Sequence, residues 1–202
     1  PVGLAFPAKG ASAYYGEQAF NVGCELAALT HGHPTGYLAA GRFAALIAFL
    51  IYGMGLEEAI SKVCEILKRK EGHEELLESI EGIVDLSETV SCDPEMMVEL
   101  LGEGWVAEEA LAISLYCALR FKEDFSAGVL AAINHSGDSD STGAITGNIL
   151  GVIHGIKGIP EKWITNLKYV HILREISGDF YECMNGQMDY PDDRWWGKYP
   201  GC

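Results

Sequence analysis

The sequence is poor in basic residues and lacks the patterns that mark several specialised classes of protein. It holds 14 Lys and Arg against 29 Asp and Glu, which gives a formal net charge of −15 at pH 7. Such an excess of negative charge argues against a nucleic-acid partner or an anionic-membrane partner. No segment resembles a signal peptide. The apolar run from Phe43 to Tyr52, which Arg42 precedes, is too short to span a bilayer.

The six cysteines show neither a C-x-x-C pair nor a spacing typical of a zinc site. Cys24, Cys64 and Cys117 fall within apolar helical patterns, so we expect them to be reduced residues of the core. Because reduced thiols persist in the cytosol, this pattern favours a cytoplasmic location.

Strand-like alternation of polar and apolar residues is also missing from the sequence, and apolar residues recur instead with the helical period of 3.6. The predicted helices cover residues 11–30, 35–52, 56–70, 73–90, 94–101, 107–120, 125–134, 142–155, 160–166 and 167–176, followed by a loop-like aromatic tail over 191–202. Asp93 followed by Pro94 is typical of an N-cap with proline in the first turn, so we expect the fifth helix to begin there. The second helix is apolar on nearly every side, as is typical of the centre of a bundle. A length of 202 residues suits one domain, and we predict an all-α multi-helical bundle with functional loops between its helices.

Two carboxylates lie close together in an otherwise apolar segment. Between Phe125 and Pro160 the only acids are Asp138 and Asp140, within the run N-H-S-G-D-S-D-S-T-G. Two acids this close repel each other and lose hydration, so they need a cation, strong hydrogen bonds or a raised pKa.

Three interpretations of this acidic run are open from its residues. Asp138, Asp140 and Ser141 could satisfy the free N–H groups at a helix start. They could also bind a hard divalent ion such as Mg²⁺ or Mn²⁺, which prefers carboxylate and hydroxyl oxygens. The third is an aspartyl nucleophile of the haloacid-dehalogenase phosphatase type, which needs a strand before the motif, whereas the segment from Phe125 to Ile133 is predicted to be helical.

Four glycines spaced by four follow the acids, namely Gly143, Gly147, Gly151 and Gly155. In a helix this spacing places them on one face. Each costs about 1 kcal/mol relative to Ala, so we expect a buried face that another backbone approaches closely.

Two separated segments resemble motifs of the ADP-ribosylglycohydrolase family. The segment from Asn134 to Gly151, N-H-S-G-D-S-D-S-T-G-A-I-T-G-N-I-L-G, is similar to that family's C-terminal metal motif. The segment from Leu29 to Leu38, L-T-H-G-H-P-T-G-Y-L, is similar to its T-H-x-H-P-T-G segment. Two motifs in the family's order are far more specific than either one by itself. The D-S-D-S form, with Ser141 where many members carry Thr, together with H-P-T-G, most resembles the ADP-ribosylarginine hydrolase branch.

The resemblance extends from about Pro1 to Trp163. The sequence lacks two motifs that the family carries in its earlier half. These are a Ser/Thr-Asp-Asp-Thr metal motif and a glycine-rich G-x-G-x-x-M-R loop. The resemblance therefore implies that residues 1–202 are one all-α domain forming the C-terminal part of a longer ADP-ribosylglycohydrolase domain. The start at Pro1, without a methionine, points the same way.

The resemblance also implies a function and a site. The family hydrolyses the glycosidic bond between ADP-ribose and a protein side chain with two Mg²⁺ or Mn²⁺ ions. Asp138, Asp140 and Ser141 would be metal ligands, and the two aspartates would be catalytic. His31 would contact ADP-ribose unless it only caps a helix. Trp105 could stack on the adenine, but a buried structural role is an equal alternative.

The implied partner is thus an ADP-ribosylated protein or ADP-ribose itself. We expect His135 and Asn134 to support the metal loop as outer-shell groups. His154 is more typical of a hydrogen-bonded interior histidine. The alternative function is a catalytically inactive, truncated homologue that serves as a binding or structural protein.

Overall fold

The computed structural model describes residues 1–6, 13–89, 93–185 and 193–199, and within these ranges the chain is α-helical without strands. This confirms the predicted all-α class. The helices are α1 (Ala13–Ala28), α2 (Pro34–Ile51), α3 (Leu56–Leu67), α4 (Glu74–Ile80), α5 (Ile83–Glu88), α6 (Pro94–Leu101), α7 (Ala107–Arg120), α8 (Phe125–Ile133), α9 (Ser139–His154), α10 (Glu161–Thr165), α11 (Val170–Met184) and α12 (Asp193–Lys198). Short 3₁₀ turns cover Val2–Ala5 and Ile156–Gly158.

Most helices lie where the hydrophobic period predicts them, and the exceptions have local causes. The single helix predicted over residues 73–90 is wrong, because Gly82 adopts φ +79° and separates α4 from α5. A residue in the left-handed region ends a right-handed helix. The predicted N-cap at Asp93 is confirmed, since its carboxylate accepts a hydrogen bond from the N–H of Glu95 at 3.1 Å.

The C-terminal segments differ more from the prediction. The chain forms two compact units, Pro1–Ile159 and Pro160–Cys202. In the second unit α11 runs on to Met184, and residues 193–198, predicted as part of a loop, form α12. Within this unit Lys198 lies 2.8 Å from Glu175 and 2.5 Å from Asp179. The assignment of all 202 residues to one domain stays a prediction.

Helix α2 lies at the centre of the first unit, as its all-round apolar character predicts. It packs against α1, α3, α4, α7 and α9. By length and composition alone, its 18 residues could cross a membrane, and 67% of them are buried inside the protein, as in a core helix. Within it Arg42 is 2% exposed and donates to the Cys64 sulfur at 3.5 Å. Burial lowers the pKa of Arg42 to about 10, which still leaves it charged at neutral pH.

The cysteines on α1, α3 and α7 are free thiols, as predicted. Burial raises the pKa of Cys24 to about 11 and that of Cys117 to about 12. Because the thiolate is the reactive form, these two residues are structural rather than nucleophilic. Cys92 and Cys202 lie outside the described residues.

Close packing of α8 on α9 depends on one glycine from each helix. A Cβ on Gly143 of α9 would lie 2.3 Å from Ile133 Cγ2, and a Cβ on Gly128 of α8 would lie 2.4 Å from Leu150 Cδ1. Each glycine therefore receives an apolar side chain of the partner helix. The predicted four-glycine face is wrong beyond Gly143. A Cβ on Gly147 would make only ordinary contact at 3.9 Å, and Gly151 and Gly155 have no such neighbour within 4 Å.

We predict opposite effects for Gly143→Ala and Gly151→Ala. Replacing a helical glycine with alanine gains about 1 kcal/mol in helix propensity. At position 143 the stiff, β-branched Ile133 must move, and overpacking costs about 1–3 kcal/mol. Urea unfolding should show a lower free energy of unfolding for Gly143→Ala and a higher one for Gly151→Ala. A shift of the same sign in both variants would contradict the α8–α9 contact.

Candidate functional site

The acidic run forms the start of α9, which begins three residues earlier than predicted. Asp138 occupies the N-cap position, and Asp140 and Ser141 lie in the first turn. The carboxylate of Asp138 makes no capping hydrogen bond of ordinary geometry, but the backbone N–H of Ser141 is one of the groups that lower its pKa, so the capping interpretation stays open. The preceding α8 is a helix, as predicted, and so lacks the strand that the phosphatase interpretation requires.

The side chains of the three motif residues converge. Hydrogen bonding with the side chain of Asp140, and then with that of Ser141, holds the pKa of Asp138 below its usual range. The N–H of Ser141 also lies 3.1 Å from Asp140 Oδ1. Asp138 is half-buried and Asp140 is exposed. Two carboxylates and a hydroxyl thus meet at one edge of the helix start.

A chain of hydrogen bonds fixes the turn before α9. The N–H of Gly137 donates to His135 Nδ1 at 3.1 Å, so the other ring nitrogen carries the proton. His135 Nε2 therefore donates to Thr142 Oγ1 at 3.0 Å, and Thr142 donates to the carbonyl of Ala132 at 2.6 Å. Thr142 is fully buried. His135 thus holds the turn before α9 in place, and its role as an outer-shell group of a metal site stays a prediction.

Asn134 and His154 are directed elsewhere. Asn134 Nδ2 donates to Glu95 on α6 at 3.3 Å, so this contact links two helices instead of supporting the motif oxygens. His154 is half-buried, and its Nε2 lies 2.8 Å from the carbonyl of Lys122. It is hydrogen-bonded, as expected, at the C-terminal end of α9.

The loop between α6 and α7 packs directly on this turn. The N–H of Asp138 donates to the carbonyl of Glu103 at 2.7 Å. A Cβ on Gly137 would lie 1.8 Å from that same oxygen. Gly104 has φ +78°, and a Cβ there would lie 3.0 Å from Thr142 Cγ2. The motif and the loop are therefore in backbone contact, although 34 residues separate Glu103 from Gly137.

Four of the five predicted site residues line one cavity of about 530 Å³. They are His31, Trp105, Asp138 and Ser141, which come from three separate segments of the chain. Asp140, the fifth, is exposed beside the cavity and does not line it. The remaining lining residues are Ala27, Thr30, Gly36, Ala39, Ala40, Phe43, Gly104, Val106, Ala107, Ala110, Leu111 and Ile145. The wall is thus mostly apolar with a few polar groups, as in small-molecule sites of about 300–1,000 Å³.

His31 and Trp105 are both accessible. His31 follows the end of α1, and its Nδ1 lies 2.8 Å from Thr30 Oγ1, so a ligand in the cavity would meet Nε2. Its ring caps no carbonyl of α1. Trp105 is 67% exposed, so the alternative of a buried structural tryptophan is wrong. Its indole is open to stacking on a planar ligand.

Comparison with known proteins identifies the family of this chain. The model of the ADP-ribosylglycohydrolase family matches residues 1–189. The chain belongs to the ADP-ribosylglycohydrolase family. The match extends past Trp163, where the motif resemblance fades. The family hydrolyses ADP-ribose linkages, so this chain comes from a family of glycohydrolase enzymes that act on ADP-ribosylated substrates.

Curated relatives of this chain include proteins from an archaeon and from mammals. An uncharacterized protein of Archaeoglobus fulgidus is 32% identical over 158 residues, covering 77% of this chain and 48% of the relative. ADP-ribosylhydrolase ARH3 of Bos taurus is 28% identical, and that of Homo sapiens is 26% identical; each alignment covers 68% of this chain and 44% or 45% of the relative. The chain spans about half the length of the curated relatives that it matches.

The oxygen donors at the candidate site fit a hard divalent metal ion, but only in part. Carboxylate and hydroxyl oxygens are the ligands of Mg²⁺ and Mn²⁺. Asp138, Asp140 and Ser141 supply three of them, whereas hard cations take about six. Within residues 1–6, 13–89, 93–185 and 193–199, no three His, Cys, Asp or Glu side chains are grouped to hold an ion. The described residues therefore offer three neighbouring oxygen-bearing side chains but no complete set of metal ligands.

Glu109, which no motif in the sequence marks, contacts the loop that carries Trp105. Its Oε2 accepts hydrogen bonds from the N–H groups of Glu103 at 3.1 Å and Gly104 at 3.0 Å. Glu108 and Glu109 both lie in the first turn of α7, where acids are common for electrostatic reasons alone. The sequence therefore carries no signal that separates the two.

Proposed function

We propose that the intact protein is a Mg²⁺- or Mn²⁺-dependent hydrolase that cleaves the bond between ADP-ribose and a protein side chain, with arginine as its preferred acceptor. The observation that carries this proposal is the common cavity of His31, Trp105, Asp138 and Ser141. The arginine preference rests on the D-S-D-S form of the motif. The named relatives are called ADP-ribosylhydrolase ARH3, a name that specifies no acceptor, so the preference needs its own test.

Each of the five predicted site residues has a defined part in the proposed reaction. Asp138, Asp140 and Ser141 would hold the ions, which would act as a Lewis acid and lower the pKa of a bound water molecule. His31 donates from its ring to a phosphate or ribose oxygen. Trp105 stacks on the adenine. Orienting the anomeric carbon in this way accounts for a large share of catalysis in favourable cases, about 7–11 kcal/mol.

The bond changes are those of hydrolysis. The water oxygen forms a bond to the anomeric carbon, and the bond from that carbon to the acceptor nitrogen or oxygen breaks. The water loses one proton, and the acceptor side chain gains one. The products are free ADP-ribose and the unmodified side chain. Because Asp138 has a lowered pKa, it is ionised at neutral pH, as a metal ligand must be.

A second function, that of an inactive homologue that only binds, is favoured by a specific observation. The described residues supply three metal-binding side chains, and the chain spans about half of each relative. Water can complete the coordination of one ion, but it cannot fix two ions at catalytic spacing. If no further ligands exist upstream, the cavity would bind ADP-ribose weakly and hydrolyse nothing. A cytoplasmic location remains part of the proposal for either function.

The test compares the 202-residue chain with the same reading frame extended upstream of Pro1. Both are given peptides ADP-ribosylated on arginine or on serine, with Mn²⁺, and free ADP-ribose is measured. We expect the extended protein to release ADP-ribose from the arginine peptide faster than from the serine peptide. We expect the 202-residue chain to be slower by about a hundredfold or more.

Each other outcome of this assay points to a defined revision. Faster release from serine would overturn the arginine preference and keep the hydrolase. An inactive extended protein that still binds ADP-ribose would favour the binding homologue. Comparable turnover by the short chain would mean that a further acidic cluster exists within residues 1–202.

A further inference from the structure

The segment Gly102-Glu103-Gly104-Trp105 joins α6 to α7 without helical hydrogen bonds of its own. Gly102 has φ +121° and Gly104 has φ +78°, conformations that residues with side chains rarely adopt. Trp105 at its end is largely exposed. Such a glycine-rich loop is flexible unless other parts of the protein hold it.

Glu109 holds this loop from one side. A single carboxylate oxygen accepts from the backbone N–H groups of Glu103 and Gly104, at 3.1 Å and 3.0 Å. Hydrogen bonds to an ionised acceptor are about twice as strong as neutral ones. Gly102 makes room for the carboxylate, because a Cβ at that position would lie 2.5 Å from Glu109 Cδ. The missing side chain at 102 and the acid at 109 therefore fit each other.

The motif turn holds the same loop from the other side. While the N–H of Glu103 binds Glu109, the carbonyl of Glu103 accepts from the N–H of Asp138 at 2.7 Å. One loop residue thus links the first turn of α7 to the start of α9. Asp138 and Trp105 both line the cavity. Asp138 is hydrogen-bonded to Glu103, and Trp105 follows Glu103 by two residues in the same loop.

We propose that Glu109 is a positioning residue, which fixes the loop from Gly102 to Trp105 and so sets the spacing between the Trp105 indole and the Asp138 turn. This inference rests on the proposed function only in naming ADP-ribose as the ligand that uses that spacing. A purely helix-terminal role for Glu109 would be shared by its neighbour Glu108, which lies in the same first turn. Glu108 therefore serves as the matched control.

The first experiment measures the loop without any ligand. Amide hydrogen exchange is measured at Glu103 and Gly104 in the 202-residue chain. The environment of Trp105 is measured by ¹⁹F NMR after labelling with 5-fluorotryptophan, and the Trp105→Phe variant identifies its resonance. In Glu109→Ala we expect about tenfold or faster exchange at both amides and a shifted Trp105 resonance, since two charge-assisted bonds are lost. Glu108→Ala should match the wild type. Glu109→Gln keeps an acceptor oxygen and should restore part of the protection.

The second experiment measures ADP-ribose affinity by calorimetry in the upstream-extended protein. We expect Glu109→Ala to weaken binding about tenfold, Glu109→Gln to weaken it less, and Glu108→Ala to leave it unchanged.

Unchanged exchange rates at the Glu103 and Gly104 amides and an unchanged Trp105 resonance in Glu109→Ala would overturn the positioning role. An opened loop with unaltered ADP-ribose affinity would overturn its link to the ligand. Failure of the proposed function itself would look different, because the wild-type extended protein would then bind no ADP-ribose while its loop amides still depended on Glu109. If Glu109→Ala does not fold, the Glu109→Gln comparison decides in the same way.

Discussion

Replacing Asp138 with asparagine in the upstream-extended protein should reduce ADP-ribose release by more than about a hundredfold. The substitution removes a negative charge from the proposed hard-cation site while keeping the size of the side chain, so charge and ligand strength are lost together. Loss of an outer-shell partner alone costs about 10–100-fold in metal affinity or activity, and a direct ligand should cost more. Asp140→Asn should have an effect of the same kind. We expect Mn²⁺ to raise the melting temperature of the wild type and to leave that of both variants unchanged.

The control for this experiment is Asp124→Asn. Asp124 is also a carboxylate at a helix start, where it accepts a hydrogen bond from the N–H of Ala127 at 3.0 Å. It does not line the candidate cavity. Asparagine caps helices as well as aspartate does, so stability and Mn²⁺ dependence should be retained. An Asp138→Asn protein with wild-type Mn²⁺ affinity in calorimetry would refute the metal assignment.

Gly137→Ala should destabilise the protein and disturb the cavity together. The new Cβ would lie 1.8 Å from the carbonyl oxygen of Glu103. The backbone fixes the position of the Cβ atom, and the Glu103 oxygen belongs to the backbone, so no side-chain rotation can relieve the clash. Either the motif turn or the loop must move, and the hydrogen bond from Asp138 to Glu103 would be broken. We expect a loss of about 1–3 kcal/mol in the free energy of unfolding, measured by urea titration, and weaker ADP-ribose binding by the extended protein.

Ser136→Ala provides the neighbouring control, because Ser136 is exposed in the same turn. That change should leave the unfolding midpoint within the small range typical of surface substitutions, about 0.5 kcal/mol. A Gly137→Ala protein with the midpoint of the wild type would mean that the loop does not pack on the turn as described.

Local patterns in the sequence were sufficient for the fold class and for much of the helix layout. The all-round apolar pattern before Tyr52 predicts a central helix, and α2 is one. Asp93 followed by Pro94 predicts the start of α6, which the structure confirms. These features depend on residues within one or two turns of each other, where the 3.6-residue period and capping chemistry operate. The two spaced motifs were equally sufficient to indicate the family.

Residues 73–90 show what hydrophobic periodicity cannot predict. The apolar period continues from α4 into α5, yet the backbone at Gly82 turns into the left-handed region and divides the helix. Periodicity records which side of each segment faces the core. It does not record whether the two segments share one axis.

The glycines of α9 and the residues around Trp105 were decided by tertiary structure alone. Equal spacing made Gly143 and Gly151 equivalent in the sequence, but only Gly143 has a partner side chain, Ile133, against it. Likewise Glu109 differs from Glu108 only because the loop lies within reach of its carboxylate. The sequence by itself determined the helical class, the family and the residues that could bind a metal. Which glycine must stay small, which glutamate holds the loop and which side chains share a cavity depend on contacts between segments far apart in the chain, and no local period encodes those contacts.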